Sequence, residues 1–166
     1  MNDKNGIRIR LARVSDARVL ADLRYALRSA DGRSIEAEND FVRRCVPWMT
    51  DNLPMESWRC WVAENQVRVI GNIWLQRVEK LPNPTTELEY FGYITNFFVV
   101  EAERGSGIGS LLLSTALSWC REHDFHAVIL WPTEKSRSLY ERHGFAIRSD
   151  LLELVIQHAE SPFSHL

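Results

Sequence analysis

Arg104-Gly105-Ser106-Gly107-Ile108-Gly109 stands between an apolar run, Phe97-Phe98-Val99-Val100, and a stretch from Ser110 onward that is patterned as a helix. Every second residue of the six lacks a Cβ after the arginine. Such a loop lets successive backbone N–H groups turn toward one point at the start of a helix, and that makes an anion site. The segment is therefore read as a strand, a phosphate cradle and a helix in that order.

Working outward, Ile108, Leu111, Leu112, Thr115, Ala116 and Trp119 recur at three-four spacing and predict one helical face. On the N-terminal side, a strand from about Tyr90 to Val100 delivers the chain to the loop, and the two prolines of Leu81–Thr86 interrupt the ladder before it. Trp58–Glu64 and Val67–Val78 read as a hairpin turning at Asn65-Gln66. Ile7, Ile9 and Leu11 alternate with arginines as a half-buried first strand, and Ser15-Asp16 is expected to cap a helix with Val19, Leu20, Leu23 and Leu27 on its apolar face. Asp31-Gly32 breaks that helix, and a less regular helix from about Ile35 to Met49 forms a partly exposed flap. Beyond the loop, Ala127–Trp131 reads as a buried strand and Glu134–Arg142 as a short helix closed by Gly144. Phe145–Arg148 and Leu151–Ile156 are expected as the last strands. No repeat or second domain is seen, so residues 1–166 are expected to form a single domain.

The composition restricts the partners. Twenty basic against 22 acidic residues give a formal net charge of -2, with both signs mixed along the chain. Nothing draws the molecule generally to nucleic acid or an anionic membrane, so an anion must be bound locally. The longest apolar runs are far short of the roughly 20 residues that span a bilayer, and the first residues lead into no signal-like apolar stretch. A cytoplasmic protein is expected. Cys45, Cys60 and Cys120 are odd in number and unpaired in spacing, so buried free thiols are expected rather than a disulfide framework or a metal site. His123-x-x-His126 lacks a third ligand and is read as a wet helix end.

Two nucleotide motifs compete for the glycine loop and both fail. A G-x-G-x-x-G loop would need its third glycine at Ser110 or Leu112, and a P-loop would need a lysine that is absent. The segment matches R-x-x-G-x-G instead. Leu139-Tyr140-Glu141-Arg142-His143-Gly144-Phe145 follows at the distance of a second signature, a short helix carrying Tyr and ending in Gly-Phe. In these two motifs and in the order of elements around them, the chain resembles the Gcn5-related N-acetyltransferases, GNAT, over most of its length. The resemblance implies a mixed α/β fold: a mostly antiparallel sheet with helices on both faces, and a neighbouring parallel strand pair that splays apart to hold acetyl-coenzyme A.

An amine that attacks an acetyl thioester needs a neutral nucleophile, stabilisation of an oxyanion, and a proton for the departing thiolate. The backbone of Gly105, Ser106, Gly107, Ile108, Gly109 and Ser110 suits the coenzyme pyrophosphate, with Arg104 adding charge or buttressing the loop. The resemblance lays the pantetheine arm along Phe98, Val99 and Val100, where unpaired strand groups pair with its amides. It also makes Tyr140 the first choice for general acid, since a phenol near pKa 10 can serve a thiol near 8.5. Thr133 and Ser136, seven and four residues earlier, are expected to contact the coenzyme arm; many relatives have Asn in place of Thr133. Tyr93, Asn96 and Trp131 are expected to line the acceptor site. Histone-type relatives have a Glu base where this chain has Tyr93; Glu87 or Glu89 could deprotonate the amine through water, and each is equally well read as a solvated loop or strand-edge charge. Six tryptophans are many for this length, and Trp48, Trp58 and Trp61 are expected to cluster near the flap.

The reading is an N-acetyltransferase that moves an acetyl group from acetyl-CoA to a primary amine of a small-molecule acceptor by direct attack in a ternary complex, without a metal. The alternatives are a non-catalytic acyl-CoA-binding or sensing module and a protein N-acetyltransferase. A homodimer is the default quaternary expectation.

Overall fold

In the computed structural model, residues 3–4, 6–30, 36–82, 84, 86, 88–149, 151–154 and 156 are described. The expected break at Asp31-Gly32 and the candidate Glu87 lie outside them. The chain divides into two compact units, residues 1–130 and 131–166, and each is described by itself.

The first unit is built on a sheet of six strands in sequence order: β1 (Asp3–Lys4), β2 (Ile7–Leu11), β3 (Trp58–Glu64), β4 (Val69–Glu79), β5 (Tyr90–Val99) and β6 (Phe125–Ile129). All neighbours are antiparallel except β5 and β6, which run parallel. That mixed pattern follows from the connections. Short turns join β1 to β2 and β3 to β4, two helices separate β2 from β3, and β6 is reached only after helix α3 (Ile108–Glu122) has carried the chain back along the sheet.

Period-two alternation assigns the two faces. Cys60, Val62 and Trp74 pack with Ala17, Leu20 and Ala21 of α1 (Ala17–Ser29) and Val42 and Met49 of α2 (Glu38–Asn52). Their neighbours point the other way. A Cβ on Gly71 would meet Leu112 of α3, and Trp61 stacks edge-on against Trp119 at 5.8 Å. This separates the expected tryptophan cluster. Trp48, Trp58 and Trp74 meet with ring centroids 5.3 to 5.9 Å apart on the α1/α2 face, while Trp61 lies on the α3 face.

Asp16 stands at the expected start of α1, but its carboxylate makes no bond to that helix. It receives the Arg10 guanidinium at 2.7 and 3.0 Å and the Arg13 N–H at 2.7 Å, and so ties the end of β2 to the entry of α1. Arg10 also donates to Glu64 of β3 at 2.7 Å.

In the second unit, α4 (Glu134–Arg142) has the expected bounds and ends at Gly144, whose φ of +89° needs a residue without a Cβ. The strands expected at Phe145–Arg148 and Leu151–Ile156 are not formed among the described residues. Ile147 is 83% exposed and Leu152 93%. Their apolar alternation suits a strand, but a strand is a paired state, and these residues have no ladder partner among those described.

Candidate functional site

The parting of β5 from β6 is fixed by register. The parallel pairing runs from Tyr90 opposite Phe125 to Tyr93 opposite Ile129 and stops there, while β5 continues to Val99 against β4 alone. Inside that stretch the antiparallel register slips: Trp74 faces Thr95, but Asn72 faces Phe98. The extra residue is accommodated at Asn96, whose φ of +47° places it in the left-handed region that Asn enters more readily than most residues. Asn72, fully buried, donates its side-chain amide to the Asn96 carbonyl at 2.6 Å. The side-chain oxygens of both residues are buried with no partner among the described residues. Tyr93 and Asn96 thus flank the point at which the strands separate. Asn72 was missed in the sequence, although an amide within the apolar run Val69–Leu75 is an available signal.

Past Val99 the chain makes a 3-10 turn, Glu101–Glu103, and enters the glycine loop. The Arg104 Nε donates to the Val99 carbonyl at 3.0 Å and its guanidinium lies 5.5 Å from the ring centre of Phe98. Of the two roles expected for Arg104, buttressing is the one its contacts display. The Val100 N–H donates to Ile70 at 2.9 Å, so this group is engaged by β4 rather than open to a pantetheine amide. Ser106 donates its hydroxyl to the Glu103 carbonyl at 2.6 Å and closes the loop on itself.

Gly105 and Gly107 have φ of +80° and +87°, and a Cβ on either would meet nothing within 4 Å. Glycine is needed there for backbone conformation, and the space outside the loop is open. Gly109 and Ser110 already belong to α3, whose first helical bond runs from Leu111 N–H to the Gly107 carbonyl at 3.1 Å. Buried Ile108 anchors that turn. The N–H groups of Ile108 and Gly109 precede the first helical bond and sit at the positive end of the helix dipole. A pyrophosphate bridging the loop and the first turn fits this arrangement.

The second unit holds Trp131, Thr133, Ser136 and Tyr140. Thr133 is the N-cap of α4 rather than part of its face. Its N–H donates to the Ser136 Oγ at 3.0 Å, the two hydroxyls lie 3.0 Å apart, and Ser136 donates to the Thr133 carbonyl at 2.9 Å. This reciprocal cap engages both hydroxyls that were expected on the coenzyme arm. Tyr140 is buried, its ring 5.7 Å edge-on from Phe145. Burial pushes its phenol up to about 12, against a hydrogen bond with Ser136 that works the other way. Trp131 is 36% exposed.

Other candidates resolve into packing. Burial raises the Cys120 thiol to about 12 and the Cys60 thiol well above its usual value, which leaves neither with thiolate character near neutrality. His123 stacks on Trp119 at 4.1 Å and His126 meets Phe91 edge-on. Glu89 lies next to the first residue of β5, roughly 20 Å along the strand from Asn96 at about 3.3 Å per residue, too far for direct proton transfer there.

A family model described as the Acetyltransferase (GNAT) family matches residues 29–145. No curated protein matches. Among solved structures, a predicted acetyltransferase from Clostridium acetobutylicum crystallised with acetyl-CoA superposes with a TM-score of 0.75 at 24% identity, covering 90% of this chain and 96% of that one. A GCN5-related N-acetyltransferase from Ralstonia eutropha gives 0.74 at 25% identity, over 90% and 99%. Glucosamine-6-phosphate N-acetyltransferase from Arabidopsis thaliana gives 0.65 at 16% identity, over 91% and 99%.

Proposed function

Because this chain belongs to the acetyltransferase (GNAT) family, a family of acyltransferases, we propose that it moves an acetyl group from acetyl-CoA to the primary amine of a small-molecule acceptor by direct attack. The observation that carries this reading is the conjunction on one strand of a bulge at Asn96 and, just past Val99, a left-handed glycine loop opening α3. The strand parting supplies room for a thioester arm, and the loop supplies N–H groups for its pyrophosphate.

In this reading the neutral amine nitrogen attacks the thioester carbon, a C–N bond forms, and the C–S bond breaks. The carbonyl oxygen takes negative charge in the transition state and is met by a backbone N–H of β5 beside the bulge. The coenzyme leaves as thiolate and Tyr140 donates a hydrogen bond or proton to it. With its phenol raised to about 12, Tyr140 remains in the donor form throughout the neutral range. The amine loses its extra proton through water, since no carboxylate stands near Asn96 on β5.

Thiol release from acetyl-CoA, measured across a panel of primary amines, tests the proposal. Turnover on at least one amine, reduced about a hundredfold in Tyr140→Phe, is expected. Tight coenzyme binding with no turnover on any amine would leave a coenzyme-binding module in its place.

A further inference from the structure

Arg24 occupies a position on α1 where an apolar residue belongs. It follows Ala17 by seven residues, Leu20 by four and Ala21 by three, and so extends the stripe that these three buried residues press onto the sheet. Its side chain is half-buried. Other arginines of α1, α2 and β2 are matched, Arg18 with Asp22 at 3.1 Å, Arg43 with Asp40 at 3.3 Å, Arg44 with Glu36 at 2.7 Å, and Arg10 with Asp16 and Glu64, whereas Arg28, one turn along α1, has no ion pair among the described residues. Arg24 has no hydrogen bond or ion pair with any described residue.

The groups that act on it electrostatically are Arg28 one turn along α1, Cys45 on α2 and Tyr93 on β5, with no carboxylate among them. Burial and then Arg28 pull its pKa below the ordinary arginine value. A desolvated guanidinium facing a second cation is unfavourable unless an anion joins it. Tyr93 is also the last residue of β5 paired with β6, so Arg24 lies within electrostatic reach of the point where the strands begin to part. The glycine loop begins beyond Val99, roughly 20 Å further along β5 at about 3.3 Å per residue. The anion at Arg24 is therefore a different one from the coenzyme pyrophosphate.

We propose that Arg24 binds an anionic group of the acceptor, so that the amine acetylated by this protein also carries a carboxylate or a phosphate. The inference rests on the acetyltransferase reading for its amine half and on Arg24 alone for its anionic half. Either anion fits the planar guanidinium fork, and Arg28 adds attraction from the same side.

The test pairs amines that differ only in charge: ethanolamine with phosphoethanolamine, and a set of amino acids with their amides. The wild-type protein is expected to favour the anionic member of at least one pair in kcat/KM, and which pair responds separates phosphate from carboxylate. Arg24→Gln is expected to lower that preference about tenfold to hundredfold, mainly through KM. Its melting temperature should equal or exceed that of the wild type, because an unpaired desolvated cation has been removed. Calorimetric titration of the same anionic amines into coenzyme-loaded protein reads the site without turnover, and Arg24→Gln should weaken that binding by the same factor. Acetylation with no charge preference, or equal loss on both members of each pair, would overturn the anion site while the acetyltransferase reading stood. Binding of anionic amines that depends on Arg24, with no acetylation of any amine, would uphold the site and remove the acetyltransferase reading.

Discussion

Asn72 on β4 donates its side-chain amide across the sheet to the main-chain carbonyl of Asn96 at 2.6 Å, and Asn96 is the left-handed residue of the bulge in β5. The buried amide thus answers the carbonyl that the bulge takes out of regular pairing. Asn72→Ala removes the donor and leaves that carbonyl unsatisfied in the interior, at a cost of about 1 to 3 kcal/mol. Urea unfolding should record this loss. Under the proposed function the bulge shapes the thioester end of the site and the glycine loop lies elsewhere, so acetyl-CoA turnover should fall further than the coenzyme affinity does.

The link between Arg10 and Asp16 predicts an acid-dependent loss of stability. Burial alone would raise the Asp16 pKa, but hydrogen bonds from Arg10 and from the Arg13 N–H outweigh it and hold the carboxyl below 3.8. A carboxyl depressed on folding stabilises the protein at pH values above its unfolded pKa, and this contribution disappears as pH falls through the folded value. Asp16→Asn should therefore be less stable than the wild type by about 2 kcal/mol at pH 7. The gap should narrow progressively below about pH 4, measured as urea midpoints at the two pH values.

These two relationships differ in how far the sequence announces them. The helix after the loop, α4 with its Gly144, and the strand leading to the loop are all written in local spacing, because periodicity and glycine at a left-handed position act within a few residues. The bulge is a mismatch between two strands, so neither β4 nor β5 contains it alone, and Asn72 reads as a lone polar residue until Asn96 is placed opposite. The burial of Arg24 is also hidden from the sequence, by the phase of α1: the apolar face expected at Val19, Leu20, Leu23 and Leu27 is formed by Ala17, Leu20, Ala21 and Leu23. That rotation turns Arg24 toward the sheet. Thr133 and Ser136 show the converse: their spacing suits a ligand contact, and the structure engages their hydroxyls in a helix cap that the spacing alone does not announce.

Gly105 and Gly107 separate a phosphate cradle from an ordinary turn. A Cβ on either meets no protein atom, so alanine there is opposed only by the left-handed backbone, at about 1 kcal/mol. A plain turn would lose that stability and nothing else. A cradle would also lose the close approach of its N–H groups to the pyrophosphate. Gly107→Ala is expected to weaken coenzyme binding at least about tenfold in calorimetry, a factor worth about 1.4 kcal/mol, with only the small change in urea midpoint.

As the proposed proton donor, Tyr140 would set the form of the pH profile. Burial holds its phenol at about 12, so the protonated donor persists well above neutrality and is lost only as pH approaches that value. The acceptor must instead lose a proton before it can attack. The two requirements together predict a kcat/KM that rises with pH to a plateau set by the acceptor amine and does not fall again up to about pH 10, the usual value for an exposed tyrosine. Tyr140→Phe should keep the rising limb, because the amine is unaltered, while the plateau drops about a hundredfold. A descending limb between pH 8 and 10 in the wild type that disappears in Tyr140→Phe would show the phenol ionising at its ordinary value, which would contradict its burial.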